Sequence, residues 1–496
     1  MFPTGTGFEQ QGDQYSNGTV DQGPSRHHCA DDRDLRGGVS MQIVRSHSIV
    51  DAYIDIINKS EHFLYFEHQY FITATSQEQY PVLNKIGTSI VDRILRAARS
   101  KQKFKVVVVM PALPAFAGDV QYDSSPGTLA IMGFQYNSIS RGGNSIMQKV
   151  EEAGFEPKDY ISFYNLRSYD RINCSASMAN AEAKSGISYE DARKAHDHEA
   201  GSGYQGHGES PTTTFPWQDS HFAQYQQATN AANTPSASIS SACIHDGPAL
   251  TSIPWDPGNM AEIDAFVSEE VYVHSKLLIA DDRVVIIGSA NLEDRSMLGY
   301  RDSEIGVVIE DSLAINSHMN GEPFKTAHFA AGLRRKLFRK HLGLLPPQDP
   351  TIPDDNYLPV DRCGNVYDWG SVLDLLVEDP LSNEFEELWS NTARINTESF
   401  EKVFRPMPSN AVRNWEQYHG YYGQYFDVRK GSEQEPEYRY GHVFKKNFPG
   451  GVQDVKRELG EIRGTLVEMP LDFLVEVSDL FKEGFGNLPY HAEIYT

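Results

Sequence analysis

From Ser48 onward the apolar positions fall at helical spacing. Val50, Tyr53, Ile54 and Ile57 share one face, which predicts an amphipathic helix. The stretch "HFLYFEHQYFIT", residues 62–73, is rich in aromatic and β-favouring side chains and predicts a strand. Ile86, Ile90, Ile94 and Leu95 return to helical spacing and lead into a strand over 104–110. Pro111 and Pro114 end that strand, because proline has no N–H to give a ladder, and open a loop reaching Gly118-Asp119. A further helix and a strand near 161–164 follow. Helix and strand alternating in this way predict an α/β fold, a layered mixed β-sheet flanked by helices.

Two stretches depart from the alternation. Residues 1–39 are rich in Gly, Gln, Ser and Asp and poor in apolar side chains, and 171–261 is full of Ser, Ala, Gly, Gln, Thr, Asn and His with little periodicity. Such compositions bury too little to form a core, so the first is expected to be a disordered leader and the second a long disordered insertion. The folded lobe is then expected in two parts, 40–170 and 262–496. The insertion carries His196, His198, His207, His221 and His245, but their spacing matches no closed zinc site, and no metal is expected there. Farther on, Leu333, Leu337, Phe338 and Leu342 form an apolar helix stripe beside Arg334, Arg335, Lys336, Arg339 and Lys340. A membrane-surface helix reads this way too, but the width of the stripe favours core packing.

The chemistry concentrates in "VHSKLLIADDRVVIIGSANLEDRS", residues 273–296. Strand alternation places Tyr272, His274, Lys276 and Leu278 on one face and Val273, Ser275, Leu277 and Ile279 on the other. The polar turn Asp281-Asp282-Arg283 and a second apolar run, 284–287, predict a β-hairpin. Gly288-Ser289 ends the second strand where the backbone approaches a ligand closely. His274, Lys276 and Asn291 then point at one small volume. An imidazole, an ammonium and a carboxamide around one point suit a phosphate ester. Lysine offers a point charge to non-bridging oxygens, Ser and Asn donate hydrogen bonds, and histidine attacks phosphorus or protonates a leaving oxygen. A lone His-x-Lys is more often a structural pair beside a carboxylate.

The charge balance narrows the partners. There are 68 Asp plus Glu against 44 Lys plus Arg, a net charge of −24, which argues against a nucleic-acid backbone and against broad attraction to anionic membranes. Cys29, Cys174, Cys243 and Cys363 are widely spaced without a CxxC pair, so neither a disulfide framework nor a zinc knuckle is expected, and a reducing compartment fits. The opening residues lack the basic-then-apolar pattern of a signal peptide, and no apolar run reaches the length of a membrane span. A soluble or peripheral, cytoplasmic protein is expected.

The full spacing of the segment is His274-x-Lys276, Asp281, then Gly288-Ser289-x-Asn291. This is the HKD motif of the phospholipase D superfamily. The chain resembles the C-terminal half of a eukaryotic phospholipase D of the fungal and animal type, with the second of that family's two HKD motifs. "RSHSIVDAYIDIINKSEHFLYFEHQYFIT", "VVVVMPALPAFAGD", "AIMGFQYNSISRGGNSI", "ISFYNLRS" and the closing "EIYT" are similar to further family segments. Glu67, Gln69, Tyr70 and Phe71 keep the family's "IENQYF" pattern, and His68 stands where the family usually has Asn. The resemblance spans about 40–168 and 262–496.

It implies a phospholipase D-like lobe and hydrolysis of phosphatidylcholine-like phosphodiesters at a membrane surface, through a phosphohistidine and without a cofactor. It implies His274 as acid and base, and Lys276, Ser289 and Asn291 as holders of the phosphoryl oxygens. Asp281, in the motif, is expected to brace the site more than to react. Glu304, in "YRDSEIG", would orient the histidine of the other motif. A first motif does not occur in these residues, so the resemblance implies a partner lobe that carries one, or a homodimer. An inactive or regulatory half-enzyme, and a nuclease or other phosphodiesterase of the superfamily, are the alternatives. The acidic balance and the match outside the motif speak against a nuclease. The terminal Ile494-Tyr495-Thr496 is expected to pack on the catalytic lobe, as in the family.

Overall fold

The computed structural model describes residues 47–114, 120, 126–172, 176–192, 195, 221–230, 250–255, 260–345, 370–426, 440–477 and 480. The expected leader, the four cysteines, the Gly118-Asp119 loop end, His196, His198, His207, His245 and the terminal Ile494-Tyr495-Thr496 lie outside these residues.

The apolar patterns become the expected elements. Helix α1 (Ser48–Lys59) buries Val50, Ala52, Tyr53 and Ile57. Strand β1 (Phe63–His68) follows, and every one of its residues is buried. Helix α2 (Ile86–Arg99) leads to β2 (Lys105–Val109), and α3 (Pro126–Ile139) and α4 (Ile146–Glu152) lead to β3 (Ile161–Arg171). β1 pairs β2 and β2 pairs β3 in parallel. Connections between parallel strands need crossovers, which these helices supply. The second part adds β4 (Phe266–Glu270), β5 (Lys276–Ala280), β6 (Val284–Gly288) and β7 (Gly306–Glu310). With a short β10 (Leu466–Glu468), the sheet order is β10-β3-β2-β1-β5-β6-β7, and β4 pairs β3 off this path. β8 (Ala314–Met319) and β9 (Glu322–Ala327) form a separate hairpin. The sheet is mixed: β5 joins β1 antiparallel, and β6 and β7 continue antiparallel.

Burial on both faces explains the near-continuous apolar runs. Leu64, Phe66, Val106, Val108, Leu278 and Ala280 face a core shared with α1, α2, α3 and α4. Phe63, Tyr65, Val107, Val109, Leu277 and Ile279 face the opposite core, closed by α7 (His328–Leu342) and α8 (Asn383–Phe404). The alternation of period two sorts neighbouring residues of one strand into two cores. Phe338 of α7 stacks on Phe385 of α8 at 5.3 Å between ring centroids and meets Trp389 at 4.6 Å.

The basic stripe belongs to this packed helix α7. Arg334 binds Asp282 through two bonds of 2.7 and 2.6 Å with both side chains fully buried. Arg335 binds Asp374 at 2.8 Å. Among the described residues no helix is long and apolar enough to cross a membrane.

The 171–261 stretch differs from its expected disorder where it is described. Helices α5 (Ala176–Ser185) and α6 (His221–Asn230) pack together around buried Ala181, Ala192 and Tyr225, with Met178, Ile187, Tyr189 and Phe222 against them. A satellite core this small leaves too few apolar positions to register as periodicity. The stretch leaves and re-enters at neighbouring strand ends, since Arg171 of β3 pairs with Phe266 of β4. A long excursion between two paired ends leaves the sheet register intact.

Candidate active site

The β5–β6 hairpin forms as the alternation requires. Leu277↔Ile287, Leu278↔Ile286, Ile279↔Val285 and Ala280↔Val284 are register partners, and the turn is Asp281-Asp282-Arg283. The strand begins at Lys276, so His274 sits just before it, exposed. Lys276 is buried, opposite His68 of β1. Its Nζ donates to Gln69 Oε1 at 2.9 Å and to the His274 carbonyl at 2.7 Å. Burial lowers its pKa to about 8, with the Glu304 carboxylate working the other way. The ammonium is therefore the main form at neutral pH but is held weakly. Burial, and then the Lys276 charge, push the His274 pKa below the ordinary histidine value. At pH 7 its imidazole is neutral, a proton acceptor.

The far wall is built from the end of β6. Gly288 pairs with Gly306 of β7, and a Cβ on Gly288 would stand 2.2 Å from the Ile305 carbonyl oxygen. The glycine thus permits a close approach of its own chain, where the sequence suggested a ligand. That approach fixes Ser289, whose N–H donates to the Ile305 carbonyl at 2.9 Å and whose Oγ accepts from the Ile305 N–H at 3.0 Å. The Ser289 hydroxyl donates to Glu304 Oε2. Asn291 follows, and its carboxamide Oδ1 is buried without a hydrogen-bond partner among the described residues. A side-chain amide exchanges O and N by a flip, so this end offers either an acceptor or two donors to a ligand. Asp294 ties the same turn to the loop after β1, accepting from the Asn84 N–H at 2.8 Å and the Asn84 side chain at 2.7 Å.

His274, Lys276, Ser289 and Glu304 are thus brought to one end of the hairpin, with Asn291 just beyond Ser289. Asp281 is not. It lies at the other end of β5, about 16 Å away at the rise of an extended strand. There its carboxylate accepts from the backbone N–H of Glu61 at 2.7 Å, His62 at 2.7 Å and Phe63 at 2.8 Å. It ties the hairpin turn to the start of β1.

Three neighbours, Glu67, His68 and Gln69, belong in the sequence to a family pattern but are given no part in the site there. Gln69 is the side-chain partner of Lys276. His68 is fully buried, with Nε2 3.0 Å from the Tyr53 hydroxyl. Burial, reinforced by Lys276, lowers its pKa to about 3, so it adds no charge behind the lysine. Glu67 is buried with His341 Nε2 at 2.8 Å and the Tyr65 hydroxyl at 2.7 Å. Burial alone would raise its pKa, but the bonds to His341 and Tyr65 outweigh it and the net direction is down. The available signal was the polar run Glu67-His68-Gln69 inside an otherwise apolar strand, a pattern that calls for buried partners.

The arrangement is a cationic and hydrogen-bonding cradle with a neutral imidazole at its rim, suited to a phosphate diester. Among the described residues no group of three or more His, Cys, Asp or Glu could hold a metal ion.

Comparisons with known proteins agree with this chemistry. The family model described as Phospholipase D matches residues 29–200 and 261–355, more than half of the chain. The match begins inside the expected leader and runs into the 171–261 stretch. Phospholipase D zeta 1 of Arabidopsis thaliana is 30% identical over 456 residues, covering 90% of this chain and 30% of that protein. Phospholipase D1 of Homo sapiens is 31% identical over 451 residues, covering 90% of this chain and 29% of that one. Phospholipase D1 of Schizosaccharomyces pombe is 31% identical over 326 residues, covering 63% and 17%. The chain thus spans less than a third of the length of these curated relatives. Among solved structures, NucT from Helicobacter pylori covers 54% of this chain and 80% of its own, with 9% identity and a TM-score of 0.19. On the extent of the family match, and on a site whose lysine, serine and histidine stand as that family's motif spaces them, this chain belongs to the phospholipase D family.

Proposed function

We propose that this chain forms the second half of a eukaryotic phospholipase D catalytic module, of the fungal and animal type, acting at a cytoplasmic membrane surface. Its reaction is hydrolysis of a phosphatidylcholine-like phosphodiester to phosphatidic acid and a free alcohol. The observation that carries this reading is the half-built cradle: Lys276 on Gln69, Ser289 on Glu304, and His274 exposed beside them.

In this reading a histidine from a first HKD motif attacks phosphorus, the bond to the leaving alcohol breaks, and His274 gives its proton to the departing oxygen. The now neutral His274 then takes a proton from water, which attacks phosphorus and releases the phosphohistidine. Lys276, Ser289 and Asn291 hold the non-bridging oxygens through both steps. One histidine cannot occupy both sides of the phosphorus. The low pKa of His274 in the open site supports the same division. It needs the incoming anion, or a carboxylate from the other lobe, to hold a proton, and Glu304 would serve the partner histidine in return.

The rim supports a docked lobe. β7 ends the sheet, and Ile287, Ile305 and Val307 are 43%, 53% and 39% exposed beside Ser289 and Glu304. Among the described residues nothing pairs with the outer edge of β7, and an apolar strand edge of this kind next to a site marks a surface for association.

The test measures choline release from phosphatidylcholine vesicles by the verified monomer, by any homodimer fraction, and by the chain mixed with a lobe bearing a first HKD motif. Groups that act as one unit lose most of the rate when one is missing. The monomer is therefore expected to be nearly silent and the mixture active. Full activity in the monomer would refute the two-lobe reading. Silence in all three would favour a regulatory half-enzyme.

A further inference from the structure

A cavity of about 440 Å³ lies between the C-terminal end of α3, the turn that follows it, and the segment after Phe473. Its described wall shares no residue with the cradle. Part of that wall is polar, formed by Asn137, Ser140, Arg141 and Gln148. Ser140 Oγ and Arg141 Nε are buried without a hydrogen-bond partner among the described residues. The Gln148 side-chain oxygen is engaged by the Gly143 N–H and the Ser145 hydroxyl, each at 2.9 Å, which leaves its amide nitrogen to donate. Val475, Val477, Leu480 and the Tyr136 ring make the rest of the wall apolar.

Arg141 sets the chemistry. Its Nη2 donates to the backbone carbonyls of Leu471 at 2.6 Å and Phe473 at 2.5 Å, and the guanidinium lies 4.0 Å from the centre of the Tyr136 ring. Neutral carbonyls and a ring face take up hydrogen bonds but supply no counter-charge. Among the described residues no carboxylate forms an ion pair with Arg141, and the nearby Asp472 is held by Arg413 at 3.2 Å. Burial holds the Arg141 pKa below the ordinary arginine value, the direction expected of a cation desolvated without compensation. A buried charge left unpaired is costly, and a ligand that brings one negative charge offsets that cost. A carboxylate brings one charge and two acceptor oxygens, which match the free Nε–H and Oγ–H. A phosphate monoester carries close to two charges at neutral pH, more than one guanidinium balances. A neutral or cationic head leaves Arg141 unpaired.

We infer that this cavity binds a small monocarboxylate with an apolar body, its carboxylate on Arg141 and Ser140 and its body along Val475, Val477 and Leu480. The site is separate from the cradle and does not depend on the proposed hydrolysis.

The full chain is titrated calorimetrically with octanoate, 1-octanol and octyl phosphate. Octanoate should bind at least about tenfold tighter than either of the others, the scale of a charge-assisted hydrogen bond. Ser140→Ala should weaken octanoate about fivefold with the melting temperature unchanged, because this hydroxyl bonds nothing in the fold. Val475→Asp sets a second anion beside the carboxylate and should abolish binding. Lys276→Gln should bind octanoate as the parent does. No binding to the full chain, as when the chain's own carboxyl end occupies the cavity, would overturn the inference. So would equal binding of 1-octanol, tighter binding of octyl phosphate, or an unchanged affinity in either cavity variant. Loss of binding in Lys276→Gln would place the carboxylate in the cradle and overturn it as well.

Discussion

Asp281→Asn separates bracing from chemistry, because the motif puts Asp281 in the catalytic set and the fold puts it at the far end of β5. Its Oδ1 accepts from His62 and Phe63, and its Oδ2 from Glu61. Asparagine keeps one acceptor, so two bonds fall from charge-assisted to neutral strength, about 1 kcal/mol each. The third is lost, because the amide Nδ2 would face the Glu61 N–H, at about 1 kcal/mol more. The expected destabilisation is about 3 kcal/mol. Asn also tolerates the left-handed backbone here, where φ is +52°. Asp281→Ala loses all three bonds and adds about 1 kcal/mol or more of left-handed strain, for about 5 kcal/mol in total. The assay is urea unfolding followed by tryptophan fluorescence, paired with titration of the folded protein by inorganic phosphate. Phosphate affinity per folded molecule should stay within about twofold, since the carboxylate is a whole strand from the cradle. Stability near that of the parent together with lost phosphate binding would refute the reasoning and return Asp281 to the site.

Other outcomes follow from the same geometry. His274→Asn should abolish choline release by the reconstituted two-lobe enzyme at equal folded fraction, and comparable turnover in the variant would remove His274 from the mechanism. Phosphate affinity of the chain should fall as pH rises through about 8, because Lys276 binds phosphate only as the ammonium and burial brings its loss down to that range; Lys276→Gln should flatten this profile. Gly288→Ala forces a methyl against the Ile305 carbonyl, so β7 must shift, costing about 1–3 kcal/mol and loosening Ser289 from Glu304. Its phosphate affinity should drop with stability, and an alanine variant matching the parent in both would show that the approach is not required.

Much of the framework was legible in the amino-acid order because it depends on neighbours along the chain. The spacing of Val50, Tyr53, Ile54 and Ile57 reports one helix face, and the alternation from Tyr272 to Ile279 with a polar turn reports a hairpin. The His274-x-Lys276 and Gly288-Ser289-x-Asn291 spacing is likewise local, and it points to phosphate chemistry from the amino-acid order alone. Short, weakly apolar elements such as α5 and α6 escaped this reading, because each buries too little to impose a period.

Contacts between distant segments were decided by the tertiary structure. β1 pairs with β5 across the whole 171–261 stretch, and nothing in either strand names the other. That pairing sets His68 opposite Lys276, gives the lysine Gln69 as a partner, and buries it enough to weaken its proton. The alternation already places Asp281 at the hairpin turn, but its partners, the backbone N–H groups of Glu61, His62 and Phe63, come from a distant segment that the motif does not name. A cavity lined by Arg167 of β3, Glu270 of β4 and Tyr440 joins segments that lie far apart in the chain. Periodicity records which face a residue turns inward. Partner, burial and field depend on what folds against that face, and here those decide which of the motif's side chains can act together.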